Sequence, residues 1–334
     1  MSEYILVTGG AGYIGSHVVK ALVKNGHKPL IYDNLSTGNK EAVLDQKLII
    51  GNLEDSETLE KVFQEYSIKA IMHFAGSIKV PESVIDPIKY YQNNTANSLQ
   101  LVNMCHKYNV NHFIFSSTAA TYGELATGFA DENTDKTPIN PYGRSKLMTE
   151  WMLEDYSSSK DSFTYSAIRY FNVCGADPEL EIGQAFPEPF HLINIACEVA
   201  TGKREKMSIF GTDYTTPDGT CIRDYIHVSD LANAHVLALN YLFTGGKSEV
   251  FNCGYGHGFS VKEIIDTVKK VTKVDFPVEL AKRREGDPAE LVAKVEKIKE
   301  KLSWKPKYND LDIIISTAYN WEKSSKLKRW RELK

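Results

Sequence analysis

Most features of a secreted, membrane-spanning or zinc-binding protein are missing from this sequence. Its cysteines number five, and none of them forms a Cys-x-x-Cys spacing, so we expect neither a disulfide framework nor a metal site. No apolar run is long enough to span a membrane, and no charged leader with an apolar stretch precedes the first strand-like segment. These absences favour a cytoplasmic protein with no membrane partner.

No long basic tract occurs outside the C-terminus. Lys and Arg total 39 against 43 Asp and Glu, a net charge of −4. Only residues 323–334 are dense in Lys and Arg, and we interpret them first as a solvated helix end. Nucleic acid is therefore not an expected partner. The 334 residues, 42% of them hydrophobic, suffice for one large α/β unit and a smaller lobe.

The N-terminal segment predicts a dinucleotide-binding turn. Residues 4–8 form a short apolar run that leads into Gly9, Gly12 and Gly15, and a helical apolar pattern follows. In this context Gly9 permits a tight turn, Gly12 lets the backbone approach a pyrophosphate, and Gly15 lets helix and strand pack closely. The phosphates are then expected at the free N–H groups of a helix N-terminus.

Asp33 indicates which dinucleotide binds. It ends a second strand-like run at residues 28–32, about 20 residues beyond the glycines. A carboxylate there can accept hydrogen bonds from ribose hydroxyls and repels a 2′-phosphate. NAD is therefore preferred over NADP as the cofactor, although a solvated Asp after a strand is a second interpretation of this position.

Strands and helices alternate along the first half of the chain. The strand-like segments are 48–51, 70–74, 112–116 and 166–171, and the helical patterns are 56–66 and 86–108. This alternation predicts an α/β fold with a doubly wound parallel (Rossmann) sheet. Ligand-binding side chains are expected at the carboxyl ends of its strands, where Thr118 and Asn172 lie.

The composition changes after Asn172, which predicts a domain boundary. Residues 175–189 are rich in Gly, Pro and acidic residues. We expect residues 1–175 to form an NAD-binding domain and residues 176–334 mainly a smaller α/β substrate-binding lobe. A segment near residues 221–254 is expected to return to the first domain.

The second lobe supplies cations that the first lacks. Arg223, Arg283 and Arg284 lie beside loop signals and suit a phosphorylated substrate, although arginines of this kind are more often surface residues. A turn is predicted at residues 209–211 and a strand at residues 249–253.

A tyrosine and a lysine one helical turn apart form the candidate catalytic pair. Asn140 and Pro141 predict the start of a helix over residues 141–160, which places Tyr142 and Lys146 on one face. To act as a base near neutrality, a Tyr of pKa ~10 must drop by roughly three units. A lysine supplies part of that drop, and an oxidised nicotinamide supplies more. The same spacing also occurs by chance in many helices.

Seven motifs together resemble the extended short-chain dehydrogenase/reductases, and within them the nucleotide-sugar epimerases. The likeness extends from about residue 4 to residue 304. The motifs are Thr8-Gly-Gly-Ala-Gly-Tyr-Ile-Gly-Ser-His17, Asp33-Asn-Leu35, Phe74-Ala-Gly76, Asn140-Pro-Tyr-Gly-Arg-Ser-Lys146, Arg169-Tyr-Phe-Asn172, Arg223-Asp-Tyr-Ile-His-Val228 and Arg283-Arg-Glu-Gly-Asp287.

The resemblance implies interconversion of UDP-glucose and UDP-galactose by transient oxidation at C4 with bound NAD. Tyr142 acts as the base, Lys146 lowers its pKa and holds the nicotinamide ribose, and Thr118 bonds the sugar O4. The implied cofactor shell is Gly9, Gly12, Tyr13, Ile14, Gly15, Asp33, Asn34, Asn52, Leu53, Phe74, Ala75, Gly76, Asn93, Ser116, Lys146 and Tyr170. The implied substrate shell is Thr118, Tyr142, Asn172, Leu192, Phe210, Arg223, Arg284, Asp287 and Leu291. Phe210 is expected beside the uracil, and a homodimer is the family's usual assembly.

Two positions depart from the family pattern. Asn52 stands where an Asp commonly meets the adenine amine, and its amide oxygen can still accept that hydrogen bond. Leu291 stands where some members carry a larger aromatic facing the sugar. The smaller side chain leaves UDP-N-acetylhexosamines possible as substrates, and UDP-pentoses also stay open.

Three other functions fit part of the pattern. A 4,6-dehydratase on the same scaffold needs an acid and a base just after the threonine, where this chain has Ala119 and Ala120. A decarboxylase needs a cation for a C6 carboxylate, and only the phosphate arginines are available. A non-catalytic NAD sensor needs the glycine loop but has no use for Tyr142, Lys146 and Thr118. An epimerase is the function that uses all of these residues.

Overall fold

The structure, a computed structural model, describes residues 3–125, 127–186, 188–284 and 287–332. Its strands are β1 (Glu3–Thr8), β2 (Pro29–Asp33), β3 (Lys47–Ile50), β4 (Ser67–His73), β5 (His112–Thr118), β6 (Phe129–Ala130), β7 (Thr164–Tyr170), β8 (Asn172–Cys174), β9 (Met207–Phe210), β10 (Ile222–Arg223), β11 (Tyr225–His227), β12 (Glu249–Cys253), β13 (Phe259–Ser260), β14 (Val278–Ala281) and β15 (Glu290–Ala293). Its helices are α1 (Tyr13–Lys24), α2 (Ser56–Glu65), α3 (Val80–Ile85), α4 (Pro87–Tyr90), α5 (Asn97–Tyr108), α6 (Pro141–Ser159), α7 (Leu192–Ala200), α8 (Val228–Phe243), α9 (Val261–Thr272), α10 (Glu296–Leu302), α11 (Leu311–Lys323) and α12 (Ser325–Glu332).

Parallel strands form the main sheet, in the order β3-β2-β1-β4-β5-β7-β12. The chain moves outward from β1 to β3 and then returns to place β4 on the other side of β1. This reversal is the topological switch point of a doubly wound sheet, beyond whose carboxyl ends ligands bind. The predicted fold class is confirmed.

Helices cover both faces of this sheet because neighbouring residues along each strand point to opposite sides. Ile5 and Val7 of β1 belong to one core with residues of α1 and α8, whereas Leu6 belongs to a second core with residues of α2, α5 and α6. All three strand side chains are at most 2% exposed. The packing fixes α1 on one face of the sheet and α6 on the other. Both helices thus pack on the sheet whose carboxyl edge carries the site.

Smaller sheets build the rest of the fold. One has the order β13-β10-β15-β6, and two strand pairs, β14-β9 and β11-β8, accompany it. β6 comes from the first half of the chain and pairs with β15 of the second, while β12 of the second half extends the main sheet beside β7. Strand pairing therefore joins the two halves in both directions.

The helix predicted over residues 86–108 is interrupted by a π-helical turn at Tyr91–Ala96. Within it, the Asn94 carbonyl accepts hydrogen bonds from Ser98 Oγ at 2.5 Å and Thr149 Oγ1 at 3.0 Å. Side-chain donors thus satisfy a backbone group that the widened turn exposes. Turns of this type are frequent at functional sites, and this one borders the crevice.

The turn predicted at residues 209–211 was wrong in its bounds. Ile209 and Phe210 belong to β9, which pairs with β14 along its whole length, and the turn begins at Gly211 with φ at +86°. The predicted helix at residues 141–160 and the predicted strand at residues 249–253 are confirmed. Among the described residues, no helix combines the length and apolar character needed to cross a membrane.

Candidate active site

Predicted ligand-binding positions meet at one edge of the main sheet. Gly9 follows β1, Asp33 ends β2, Phe74 follows β4, Thr118 ends β5 and Tyr170 ends β7. The carboxyl ends of parallel strands lie at the same edge, so these residues border one crevice. The crevice includes the switch point between β1 and β4.

The glycine loop is packed too closely for side chains. A Cβ on Gly9, whose φ is +72°, would lie 2.5 Å from the Ala75 nitrogen, and a Cβ on Gly15 would lie 2.2 Å from the Gly9 carbonyl oxygen. Gly12 caps the N-terminus of α1, and no side chain caps its first turn. Tyr13 and Ile14 open the helix, and the Tyr13 hydroxyl donates to the Gly175 carbonyl at 2.6 Å. The N-terminus of α1 is therefore built to bind a phosphate.

Asp33 is fixed by the backbone around it. Its Oδ2 accepts from the Ala11 N–H at 3.0 Å and its Oδ1 from the Leu35 N–H at 2.8 Å. The side chain, 7% exposed, is thus oriented beside the glycine loop as a ribose-binding group must be.

The next residues are those predicted to bind the adenosine half of the cofactor. Asn34 Oδ1 accepts from the Ser36 N–H at 3.0 Å. Asn52 follows β3, its carbonyl accepts from the Tyr32 hydroxyl at 2.9 Å, and Leu53 beside it is buried. The Asn52 side chain lies in the loop where an adenine contact was predicted.

A hydrogen-bonded loop follows β4. Ala75 and Gly76 lead into Ser77, whose N–H donates to Asn94 Oδ1 at 2.7 Å and whose Oγ accepts from Asn93 Nδ2 at 2.9 Å. Asn94 Nδ2 also donates to Ser145 Oγ on α6 at 3.0 Å. The π-helical turn thereby ties the cofactor-side loop to the catalytic helix.

α6 begins where its sequence predicts. The Asn140 side chain accepts from the Gly143 N–H at 2.9 Å, and Pro141 takes the first helical position. Tyr142 and Lys146 lie on its buried face, 6% and 2% exposed. Lys146 Nζ donates to the Ser116 carbonyl of β5 at 2.9 Å, and the Thr118 side chain lies near enough to the Tyr142 hydroxyl to act against the rise of its pKa. The three predicted catalytic side chains are thus brought together.

Ser116 also connects this group to β7. Its Oγ lies 2.7 Å from the Tyr170 hydroxyl. The ring of Tyr170 lies 6.3 Å from that of His235, which in turn lies 4.9 Å from Phe74. Tyr170, predicted to lie near the nicotinamide, and Phe74, another predicted cofactor-binding residue, therefore flank one region of the crevice.

Burial shifts the pKa of both members of the pair. It raises the pKa of Tyr142, and Thr118 offsets only part of this. It lowers the pKa of Lys146 to about 8, against which the nearby Glu150 charge acts. The lowering of the Tyr142 pKa by Lys146 and by an oxidised nicotinamide stays a prediction.

The predicted substrate residues form a polar wall in the smaller sheets. Arg223 Nη2 pairs with the Asp287 carboxylate and donates to the Pro288 carbonyl at 2.6 Å. The guanidinium of Arg284 lies over the Phe210 ring, 4.0 Å from its centroid. Arg283 instead bonds Asp213 at 2.6 Å and lies over Tyr214.

Other predicted substrate residues lie on elements next to this wall. Asn172 opens β8, whose partner β11 follows Arg223 by two residues, and Leu192 opens α7. Leu291 on β15 is the register partner of Arg223. Strand pairing therefore places Leu291 beside one of the predicted phosphate-binding residues.

Comparison with known proteins identifies the family. The model of the NAD-dependent epimerase/dehydratase family matches residues 5–254. The chain belongs to this family. NAD is therefore its cofactor. The sequence resemblance to the extended short-chain dehydrogenase/reductases is confirmed.

Full-length relatives are similar in sequence and in structure. The chain is 51% identical to the UDP-glucose 4-epimerase of Azospirillum brasilense over 97% of its length and 93% of the relative's. It superimposes on the UDP-Glc/GlcNAc 4-epimerase of Campylobacter jejuni with a TM-score of 0.85, at 50% identity, covering 97% and 99% of the two chains. With the UDP-glucose 4-epimerase of Brucella ovis in complex with NAD, the TM-score is 0.92 at 43% identity, covering 96% and 98%.

The crevice of this epimerase/dehydratase family member fits NAD. Asn39 lines a narrow pocket with Gly12, Tyr13 and Trp330, and its Nδ2 is buried without a hydrogen-bond partner among the described residues. A buried amide donor beside a glycine loop suits a phosphate or ribose oxygen. Asn39 has no periodic or motif signal in the sequence, so its contribution emerges only from the fold.

Proposed function

We propose that the chain interconverts UDP-glucose and UDP-galactose by inverting C4 of the hexose. The observation that carries the proposal is the convergence of Tyr142, Lys146 and Thr118 on the crevice that also contains the glycine loop and Asp33. The 4-epimerases to which the chain is similar over nearly their whole length support the same reaction.

The chain's own residues transfer one proton from and to the sugar. Tyr142 removes the O4 proton as C4 is oxidised and returns it when C4 is reduced from the other face. Thr118 orients the hydroxyl, and Lys146 favours the tyrosinate. NAD, when bound, would supply the hydride acceptor and donor and a cation that opposes the effect of burial on the pKa of Tyr142.

Inversion requires that the nucleotide be fixed while the hexose turns. Arg223 and Arg284 offer charge-assisted hydrogen bonds to a diphosphate, and Phe210 offers a ring face for the uracil. We place these anchors on the smaller sheets and the reacting hydroxyl at the carboxyl edge of the main sheet. The keto sugar can then present either face to the same base.

The test is turnover against a panel of UDP-glucose, UDP-galactose, UDP-N-acetylglucosamine and a UDP-pentose. Purified protein with its bound NAD is expected to interconvert the first two without net consumption of coenzyme. Loss of carbon dioxide or of water from the sugar would favour a decarboxylase or a dehydratase. The Ala119–Thr121 turn after Thr118 carries no acid or base for dehydration. Absence of turnover with every UDP-sugar would contradict the proposal.

UDP-N-acetylglucosamine is a second candidate substrate. The Campylobacter jejuni relative is named for both UDP-Glc and GlcNAc, and Leu291 leaves more room than an aromatic residue beside Arg223. We expect Leu291→Tyr to lower kcat/KM for UDP-N-acetylglucosamine on the order of 10-fold or more while changing that for UDP-glucose little, because the larger ring fills the space of the acetyl group. Leu291→Met, nearly equal in volume, is the control. An equal loss with both sugars would rule out this role.

Exposed apolar residues support a homodimer. Ile85 of α3 is 85% exposed, Ile88 of α4 79%, Leu99 of α5 44% and Trp151 of α6 51%. Such side chains on neighbouring helices favour a protein interface. We expect Leu99→Glu/Trp151→Glu to shift the protein from dimer to monomer in sedimentation velocity.

The control for the dimer is Leu280→Glu. Leu280 is 69% exposed but lies on β14, away from these helices. A wild-type protein that sediments as a monomer, or a dimer that survives the double substitution, would contradict the assembly.

The cysteines support a cytoplasmic location. All five are free thiols and all are buried. Free thiols persist in a reducing compartment. Cell fractionation with a cytoplasmic marker tests this, and recovery in an oxidising compartment would contradict it.

A further inference from the structure

A buried ion pair lies behind the catalytic residues. Arg169 Nε on β7 donates to Glu150 Oε1 on α6 at 2.9 Å, and the two side chains are 3% and 5% exposed. Burying two charges removes them from water, which offsets much of their attraction. The pair is therefore poorly explained as a source of stability.

The Glu150 carboxylate is held by further donors. Ser117 Oγ donates to it, and Arg169 Nη1 continues the network to the Tyr122 hydroxyl at 3.0 Å. Tyr122 in turn donates to Asn252 Oδ1 at 2.6 Å. A carboxylate fixed by two strands in this way keeps its position.

We propose that Glu150 is a positioning residue of the active site, whose fixed carboxylate lies one helical turn beyond Lys146 and holds the Lys146 ammonium charged beside Tyr142. Tyr142, Lys146 and Glu150 occupy successive turns on the buried face of α6. Ser117, which contacts Glu150, follows Ser116, whose carbonyl accepts from Lys146. Thr118 is the next residue along β5. This inference rests on the proposed function for the role of Tyr142.

The other groups that the structure describes around Lys146 carry no negative charge that could replace that of Glu150. The Ser116 carbonyl of β5 accepts one hydrogen bond, and the Phe115 ring lies 4.9 Å from Nζ. His73 of β4 is neutral, since burial and the nearby Lys146 lower its pKa to about 3. From β7, Tyr170 is kept protonated by burial, which raises its pKa, and Arg169 adds positive charge.

The electrostatic consequence has a definite sign. Burial lowers the pKa of Lys146 to about 8, and Glu150 opposes that lowering. Without Glu150 the ammonium loses its proton closer to neutral pH. A neutral Lys146 no longer favours the tyrosinate form of Tyr142.

The first test is the pH profile of kcat for UDP-glucose. Glu150→Gln is expected to move the alkaline limb to lower pH by on the order of one unit, and Glu150→Asp to restore it partly. Glu154→Gln, an exposed position one turn further along α6, is the matched control and leaves the limb in place. Should Glu150→Gln fail to fold, Glu150→Asp, which keeps the charge but withdraws it by one methylene, replaces it and is expected to shift the limb in the same direction by a smaller amount. An unshifted limb in the folded variant overturns the proposal.

A second test does not depend on catalysis. In NAD-free protein, Lys146 binds a proton less tightly than in the unfolded chain, so unfolding free energy rises with pH from about 8 up to the ordinary lysine pKa of 10.5. In Glu150→Gln this rise in unfolding free energy begins at lower pH. Subtracting the unfolding free energy of Glu150→Gln/Lys146→Met at each pH isolates the contribution of Lys146. A rise that begins at the same pH as in the parent overturns the proposal even if the reaction proves different.

Discussion

Replacing Tyr142 by Phe is expected to lower kcat for UDP-glucose on the order of 10²- to 10⁴-fold while NAD stays bound. The substitution removes the hydroxyl that we propose exchanges a proton with O4 and keeps the buried ring, which is 6% exposed. The glycine loop and Asp33 are on the other side of the crevice and are untouched. Turnover by coupled assay and NAD content after gel filtration provide the two measurements.

Tyr156→Phe is the matched control for this prediction. Tyr156 lies on the same helix, and its hydroxyl makes a 3.4 Å contact with His106 at the surface. Its loss should leave kcat unchanged. A Tyr142→Phe protein that keeps kcat within about tenfold would show that another group carries the proton, since general acid–base catalysis contributes more than that.

The parts of the site that could be predicted depend on local chemistry. Gly9, Gly15 and Asp33 follow from a strand, a tight turn and a helix in succession. Asn140 and Pro141 mark the start of α6 because capping involves only neighbouring residues. The sheet order then brings Thr118 to the same edge, since parallel strands end together.

The parts that could not be predicted depend on contacts between distant residues. Glu150 and Arg169 are 19 residues apart on different elements, and Arg223 and Asp287 are 64 apart. The periodicity of helices and strands in the sequence does not indicate such a pair. The π-helical turn at Tyr91–Ala96 was missed for a related reason, because side chains from α6 help to stabilise it.

The Tyr142 pKa shows how burial changes a prediction based on spacing alone. One-turn spacing suggests a lowered pKa, yet the same packing that brings Lys146 near Tyr142 also removes both from water. Desolvation disfavours the charged form of each residue. The charge of Lys146 must therefore outweigh the burial of Tyr142 before that residue can act as a base, and a bound nicotinamide cation would act in the same direction.

Arg223→Met is expected to raise KM for UDP-glucose about 10- to 100-fold, because a charge-assisted hydrogen bond to the diphosphate contributes roughly 1.5–3 kcal/mol. Arg223 is 8% exposed, and Asp287, at 28% exposed, tolerates loss of its partner. An anchor that grips the nucleotide in ground and transition states alike leaves kcat little changed. The KM from steady-state kinetics and the Kd for UDP from calorimetry should therefore rise in parallel.

Arg283→Met separates this role from a general effect of positive charge. Arg283 also pairs with an aspartate and lies over a tyrosine ring, but its partner Asp213 is 75% exposed. Its ion pair is a surface one and contributes little, so KM is expected to change less than about threefold. Equal effects of the two substitutions would mean that the lobe attracts the diphosphate through its overall electrostatic field. A larger effect of Arg283→Met would place the diphosphate on the Arg283 side of β9, the strand that carries Phe210.

A selective effect of Arg223→Met fixes the nucleotide end of the substrate at β10. The hexose must then extend from there toward Tyr142, which is the geometry that lets one base act on both faces of C4.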